Sequence, residues 1–224
     1  MPEFPRTTPL LVNISNPIGS VEVVAEERDS VNVTVTPLDS SRQDRESAEN
    51  TRIDLRSDEL VIEAPKGSGY MRQGTRLKIE VQTPTDSDVR IVVASATVKC
   101  TGQYRTVNIN SASGEVEVEN ATGNVRLRTS SGDSRINNVG GEFNARTASG
   151  ELIANDVVGP TVLRTASGHI NIASVQTDVR SRSSSGDLRI DSAHTGVITA
   201  KSASGKVSVG IVADTRAKLD LDSI

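Results

Sequence analysis

The sequence predicts an all-β fold, a single-chain β-solenoid with about 18 residues and two short strands in each coil. Two observations support this prediction: a turn signal that recurs at a nearly constant spacing, and apolar residues that alternate after each turn. The turn signal is Ser or Thr, any residue, Ser and then Gly. Its glycines follow one another at intervals of 18, 18, 18, 18 and 19 residues: Gly114, Gly132, Gly150, Gly168, Gly186 and Gly205.

The alternation of apolar residues identifies the strands. After each turn glycine the second and fourth positions are apolar in nearly every coil, as in Val116 with Val118 and Ile170 with Ile172. A period of two is the signature of a strand with one buried face. A second glycine near the middle of most coils, such as Gly141, introduces the other strand. Inward side chains of successive coils should therefore stack, and each is buried only when its neighbouring coils are present.

The turn glycines have a structural interpretation. Glycine adopts a positive φ without a Cβ clash, and the preceding Ser or Thr can bond turn amides. The motif therefore predicts a turn and carries no chemistry of its own.

The first part of the chain is less regular. Residues 1–84 are predicted to form an irregular β region with hairpins, continuous with the repeats of residues 85–224. Residues 37–50 have few apolar side chains and predict a mobile loop, with a short solvated helical turn as the alternative. Residues 51–64 predict a hairpin. Residues 66–74 predict a flexible glycine-containing loop that lacks phosphate-binding spacing.

Composition restricts the functional classes. The 224 residues carry 25 basic and 29 acidic side chains, so a net charge of −4 gives no support for a general nucleic-acid binder. With two Tyr, two Phe and no Trp, the interior must be thin and built from Val, Ile, Leu and Ala. The single cysteine, Cys100, excludes an intramolecular disulfide, and two distant histidines do not complete a zinc cluster. No cofactor is expected.

The termini suggest a location and a mode of association. No apolar run approaches 20 residues and no signal segment opens the sequence, so we expect a cytoplasmic protein as written, without a transmembrane segment. If the sequence belongs to a longer chain, an envelope-associated location is expected instead. Residues 219–224 resemble a coil interrupted before its glycine. An uncapped coil end is a template for another chain, so end-to-end self-association is a hypothesis.

The repeated sequence motif resembles that of a known family. Segments such as Ser149-Gly-Glu-Leu-Ile-Ala154 and the run from Arg164 to Ile172 are similar to the bacterial putative-adhesin β-strand-repeat family, or toastrack domains. The resemblance covers about residues 85–224, and Thr177 departs from it by replacing a mid-coil glycine. It implies a right-handed β-helix-like fold and an interaction or scaffolding role, often tied to the bacterial envelope and its stress responses. It implies no catalytic residues.

Charged residues recur at fixed outward positions. Five basic residues stand one place before the turn signal: Arg128, Arg146, Arg164, Arg182 and Lys201. Adjacent coils lie roughly 4.8 Å apart, so these side chains should form a ladder able to bind an anionic polymer, an anionic lipid or an acidic partner. The position after the turn glycine is acidic in four coils: Glu115, Asp133, Glu151 and Asp187. His169 and Lys206 occupy the same position in the other two coils. The alternative is that all these charges are solvated and partly neutralise one another across the turn.

The outward acidic residues also raise two other functions, calcium binding and carbohydrate cleavage. Calcium β-rolls also have nine-residue half-coils, but Asp133 and Asp187 lack the repeated ligand shell, so no metal site is predicted. A carbohydrate-active β-helix could use the outward carboxylates of Glu115, Glu117 and Glu119, although no aromatic sugar platform accompanies them.

Neither histidine suggests catalysis. His169 and His194 have no nucleophile and orienting acid at a motif spacing. The favoured function is therefore a non-enzymatic interaction or scaffold module that binds a protein partner or a second copy through its flat faces or coil ends. The alternatives are binding of an anionic polymer or lipid along the row of basic residues, and a carbohydrate-active β-helix enzyme.

Overall fold

The structure is a computed structural model of the 224-residue chain, and it describes residues 3–65, 75–213 and 215–223. The all-β prediction is confirmed. The chain divides into two compact units, Met1–Val116 and Glu117–Ile224. The boundary predicted between residues 84 and 85 stays a prediction. The loop predicted over residues 66–74 lies outside the described residues.

The described part of the first unit consists of strands and one short helix. These elements are β1 (Glu3–Pro5), β2 (Leu11–Glu26), β3 (Ser30–Pro37), α1 (Arg42–Glu49), β4 (Arg52–Arg56), β5 (Glu59–Glu63), β6 (Arg76–Pro84) and β7 (Ser87–Ser113). Among the described residues, no helix is long and apolar enough to cross a membrane.

Strand β2 is the centre of the first unit. It pairs in parallel with β7 along one edge and with β5 and β6 along the other. Ile14 thus lies between Ile62 and Ile91, and all three side chains are fully buried. The order of stacking therefore differs from the order in sequence, because the β5–β6 segment stacks on one side of β2 and the β7 segment on the other.

Antiparallel strands complete the first unit. Strand β4 pairs with β5, β3 pairs with β6, and β1 pairs with β3. The β4–β5 pair confirms the hairpin predicted over residues 51–64. Its turn holds Ser57 at a φ of 48°, in the left-handed region.

The loop predicted over residues 37–50 is wrong, and the short solvated helix that was the alternative is present as α1. The Ser41 hydroxyl caps this helix by accepting the backbone N–H of Asp44 at 3.0 Å. The buried Asp44 carboxylate in turn accepts the backbone N–H of Arg76 at 3.2 Å. These bonds form the helix and hold it against β6, and they compensate for its lack of an apolar face.

A surface ion pair links two segments of β7. The Asp88 carboxylate accepts hydrogen bonds from Arg105, with Nε at 3.0 Å, and from the Thr106 hydroxyl at 2.7 Å. The guanidinium of Arg105 makes a second bond to the same carboxylate. The Arg105 hydrogen bonds are the main cause that lowers the pKa of Asp88 below its usual value, and the Thr106 bond adds to the effect.

We expect Asp88→Asn to lower the free energy of unfolding by about 1 kcal/mol at pH 7, because the bidentate acceptor is lost. A lowered folded-state pKa stabilises the fold above the unfolded value of about 3.9, and this contribution disappears as the pH falls through the folded-state pKa. Urea unfolding at pH 7 and near pH 3 should therefore show a difference that shrinks in acid. Asp29→Asn, at an exposed position of the same unit, is the control. An equal loss at both pH values would contradict the role of the carboxylate charge.

The second unit is a stack of parallel strands. Its strands are β8 (Val116–Ala121), β9 (Val125–Thr129), β10 (Ser134–Val139), β11 (Phe143–Val157), β12 (Thr161–Val175), β13 (Val179–Ser185), β14 (Leu188–Ala193), β15 (Gly196–Ser204), β16 (Val207–Ile211) and β17 (Ala217–Ser223).

The spacing of the turn glycines is also the spacing of strand pairing. Strand β11 pairs with β12 along its whole length at an offset of 18 residues, and Leu152 lies beside Ile170. Ile170 in turn lies beside Leu188 of β14. All three are buried, so they form one continuous inward column. The offset becomes 19 between β13 and β15, where Val179 lies beside Ile198.

Glycine is required at the turns for two different reasons. Five of the predicted turn glycines have a positive φ: Gly114, Gly132, Gly150, Gly186 and Gly205. Gly168 lies outside that region, contrary to the simple expectation. A Cβ at Gly168 would stand 2.4 Å from the carbonyl oxygen of Gly150. Close approach of successive backbones therefore requires glycine there, whatever the value of φ.

We expect Gly150→Ala to destabilise the second unit by about 1–3 kcal/mol, because it adds both strain and a clash. The φ of Gly150 is 106°, and the new Cβ would lie 2.4 Å from the carbonyl oxygen of Gly132. Chemical unfolding monitored by circular dichroism measures the loss. Ala148→Ser is the control, since this position is exposed and serine occupies it in other coils. Unchanged stability of the glycine variant would mean that the backbones do not approach so closely.

Candidate anion-binding ladder

The five predicted basic residues lie side by side on successive strands. Register pairs join Arg128 to Arg146, Arg146 to Arg164, Arg164 to Arg182 and Arg182 to Lys201. All five side chains are exposed. We call this set the basic ladder. Neighbouring members are separated by the strand spacing of roughly 4.8 Å.

Local strand geometry places the ladder on the outside. In β12, Arg164 stands between Leu163 and Thr165, which are both buried. In β9, Arg128 stands between the buried Leu127 and Thr129. Side chains of a strand alternate between its two faces, so a cation between two inward residues must face solvent.

The arginines of the ladder have no ion-pair partner in the described part of the chain. Lys201 pairs with Asp222 at 3.0 Å. Among the described residues, no hydrogen bond or ion pair is formed by the side chains of Arg128, Arg146, Arg164 and Arg182. Like charges about 5 Å apart repel each other by about 1 kcal/mol even in water. The ladder therefore holds positive charge that an external anion can neutralise.

Two further arginines widen the ladder. Arg126 and Arg180 are exposed and stand two residues before Arg128 and Arg182 on the same strands. Positions two apart share a face and are separated by roughly 6.6 Å. Two of the coils therefore present a pair of guanidinium groups.

An open groove lies beside the last part of the ladder. Its lining combines cations with hydroxyl groups: Arg164, Thr165, Arg182, Ser183, Ser184, Lys201, Ser202, Ala203 and Asp222. The Ser202 hydroxyl is buried and has no hydrogen-bond partner. By contrast, the Thr165 hydroxyl of the same column accepts the backbone N–H of Gly168 at 2.8 Å. The groove therefore includes an unsatisfied hydroxyl close to the cations.

The acidic column on the other side of the turn serves the backbone. Asp133 accepts the N–H of Glu151 at 2.9 Å, and Asp187 accepts the N–H of Lys206 at 2.8 Å. Each bond joins a turn to the turn of the next coil. At the mid-coil corner, Asn124 forms the equivalent bond to the N–H of Glu142 at 2.8 Å. A neutral side chain performs the same task, so the acceptor atom matters more than the charge.

His169 belongs to the same column. Its Nδ1 accepts the backbone N–H of Asp187 at 3.3 Å, which requires an unprotonated Nδ1, and lies 3.8 Å from the carboxylate of that residue. The amide of Asn171 donates to Glu151 at 2.7 Å nearby. His194 stands on a later turn, where its backbone N–H donates to Val175. Both histidines therefore contribute contacts between neighbouring turns.

The outward carboxylates considered for an enzyme lie on and beside β8. Glu117 and Glu119 flank the buried Val118, and Glu115 precedes the strand. Within the part of the chain that the structure describes, no group of three His, Cys, Asp or Glu side chains is arranged to hold a metal ion.

Sequence analysis located the ladder but missed the groove. The signal for the acceptor column was present, since Asn124, Asp133 and Asp187 each follow a glycine directly. The contributions of Ser202 and Asp222 had no sequence signal, because both depend on which coils are neighbours.

We expect Asp133→Ala to lower the free energy of unfolding by about 1 kcal/mol, because the N–H of Glu151 loses its acceptor. Asp133→Asn should retain most of the stability, since the amide oxygen can occupy the same place. Urea unfolding of both variants measures the difference. If the two variants lose the same stability, the charge of Asp133 is what the coil requires.

Comparison with known proteins identifies the family of this chain. The family model described as Toastrack DUF4097 matches residues 12–224, and this chain belongs to that family. No curated protein sequence matches the chain.

Solved structures show similar chains at low identity. A putative adhesin from Parabacteroides merdae is 13% identical, with a TM-score of 0.42, and the match covers 100% of this chain and 95% of that one. A putative adhesin from Bacteroides fragilis is 10% identical, with a TM-score of 0.43 and the same coverage. A putative lipid binding protein from Parabacteroides distasonis is 9% identical, with a TM-score of 0.33, again over 100% and 95% of the two chains.

Proposed function

We propose that this chain is a non-enzymatic binding module whose basic ladder holds an anionic polymer. The observation that carries the proposal is the row of four exposed arginines, in register and without counter-charges among the described residues. Family membership supports a binding-type module and leaves the ligand open.

The chemistry of the ladder favours oxyanions. Each guanidinium has five N–H donors in a planar fork that matches phosphate, sulfate or carboxylate. An oxyanion beside Arg182 and Lys201 would reduce the repulsion along the ladder.

The shape of the ladder favours a polymer over a single small ion. Its five positions extend over roughly 19 Å at the strand spacing, on an exposed sheet surface. A small ion would meet only two or three cations there. A linear polyanion meets every coil at once, and linked weak contacts raise the overall affinity without any enclosed pocket.

The acidic column supports a non-enzymatic role. Asp133 and Asp187 each use a carboxylate oxygen to accept a backbone N–H of the next turn. Each group therefore has a structural role as a turn acceptor. The resemblance to toastrack domains further leads us to propose right-handed winding and a role linked to the bacterial envelope and its stress responses.

Replacing Arg146, Arg164 and Arg182 together with Ser should strongly weaken binding to a linear sulfated polymer such as dextran sulfate and reduce its dependence on salt. Each lost contact lowers the dependence of log K on log salt by about 0.7, so three should lower it by about 2. The measurement is binding by fluorescence anisotropy of labelled dextran sulfate over a range of salt concentrations.

The control is a triple variant with the same change in net charge outside the ladder, Arg52→Ser, Arg56→Ser and Arg189→Ser. These arginines are exposed and pair with nearby acids. Binding of the control should match that of the parent. Equal weakening of both triple variants would show that the polymer responds to net charge and that the ladder is not a site.

A further inference from the structure

A second column of outward side chains runs beside the basic ladder. Its members stand two residues before ladder residues on the same strands: Arg126, Asn144, Val162, Arg180 and Thr199. Register pairs join each member to the next, from Arg126 with Asn144 to Arg180 with Thr199. Side chains two apart on a strand share a face and are separated by roughly 6.6 Å. A ligand on the ladder therefore also meets this second column.

The second column contains hydrogen-bonding groups that the fold leaves unused. Asn144 and Thr199 are half-buried, and neither side chain forms a hydrogen bond within the described part of the chain. An amide offers two N–H donors and a carbonyl acceptor, and a hydroxyl both donates and accepts. A bare polyanion has only acceptors and cannot use the acceptor atoms of this column. A ligand that carries hydroxyl groups beside its anions can use both kinds of atom.

The other flank of the ladder is lined by small side chains. The position two residues after each ladder residue is exposed and holds Ser or Ala: Ser130, Ala148, Ala166, Ser184 and Ala203. Ser184 and Ala203 line the open groove beside Arg182 and Lys201. Side chains this short leave room above the strands. A ligand as wide as a sugar ring can therefore lie along the ladder without a steric clash.

Acidic residues beyond the turn limit where the ligand can carry charge. Asp133, Glu151 and Asp187 stand five residues after three of the ladder arginines, and the whole chain has a net charge of −4. Polyphosphate carries anionic oxygens on every side, so it would meet these carboxylates as well as the ladder, and like charges repel. A polymer with sparse anions and a neutral remainder avoids this repulsion.

The surface around the ladder has no platform for nucleic-acid bases. Proteins that bind single-stranded nucleic acid stack its bases on aromatic side chains. The ladder, the second column and the small side chains include no aromatic residue. Tyr104 and Phe143 are fully buried. This surface therefore offers a nucleic acid only its phosphate contacts.

We propose that the ligand of the basic ladder is a linear acidic polysaccharide with one carboxylate on each sugar unit, a polyuronate. The inference rests on the proposed function and narrows its anionic polymer to one chemical class. Carboxylates that face the ladder bind its arginines through two parallel hydrogen bonds. Ring hydroxyls bind Asn144 and Thr199, and the half-buried Val162 contacts the C–H face of a ring. An extended polysaccharide advances by about one strand spacing, roughly 4.8 Å, for each sugar unit, so successive units meet successive coils.

The test compares three oligomers of six units: hexagalacturonate, linear hexaphosphate and hexathymidylate. Isothermal titration calorimetry of the 224-residue chain should show that hexagalacturonate binds about tenfold or more tightly than either of the others at a salt concentration of about 0.15 M. Its affinity should also fall least as the salt concentration rises, because hydrogen bonds to neutral hydroxyls release no counterions. The triple variant R146S/R164S/R182S should lose most of the affinity for hexagalacturonate.

A double variant tests the second column. N144A/T199V should lower the affinity for hexagalacturonate about tenfold, because two hydrogen bonds are lost, and should lower the affinity for hexaphosphate much less. The matched control is N155A/S192A, which changes the same kinds of side chain on the far side of the turn glycines. The control should bind hexagalacturonate as the parent does. Unfolding curves that match the parent show that both variants are folded.

The failures of the two proposals are distinguishable. Hexaphosphate or hexathymidylate that binds as tightly as hexagalacturonate would overturn the polyuronate proposal and leave the ladder as a general polyanion site. An N144A/T199V variant that binds hexagalacturonate like the parent would also overturn it. If neither dextran sulfate nor any of the three oligomers binds, the proposed function itself is wrong.

Discussion

Parallel backbone pairing between successive coils is the constraint on which this structure depends. In the second unit the pairing joins residues 18 or 19 apart, so a residue type that recurs at that period forms a column. Columns that face inward become the core, as with Leu152, Ile170 and Leu188. The buried core consists mainly of Val, Ile, Leu and Ala, as expected for a sequence with two Tyr, two Phe and no Trp.

The same pairing explains why polar residues have separate tasks in neighbouring columns. The first residue after the turn glycine lies where its side chain reaches the backbone N–H of the next turn, so Asp133 and Asp187 act as acceptors. The residue before the turn signal faces solvent, where Arg146 and Arg164 have no such use. A row of cations repels itself, and the anionic polymer that we propose as its ligand would neutralise that charge.

The first unit shows how far stacking can depart from chain order. Strand β2 lies between β7 on one side and β5 and β6 on the other, and all three strands come much later in the sequence. Antiparallel β3 and β4 then occupy edges that parallel coils would otherwise leave open. The described pairings of the second unit, by contrast, join corresponding strands of successive coils.

The sequence by itself determined the strand period, the inward columns and the line of the basic ladder, because a repeat at constant spacing converts sequence position into spatial position. The sequence also contains Ser41 and Asp44, the residues that cap α1. The low apolar content of residues 37–50 nevertheless favoured the prediction of a loop. Only the tertiary structure decided the pairing of β2 with β5, β6 and β7. The physical reason is that this pairing depends on which backbones approach one another, and a sequence without a repeat at that point does not specify the neighbour.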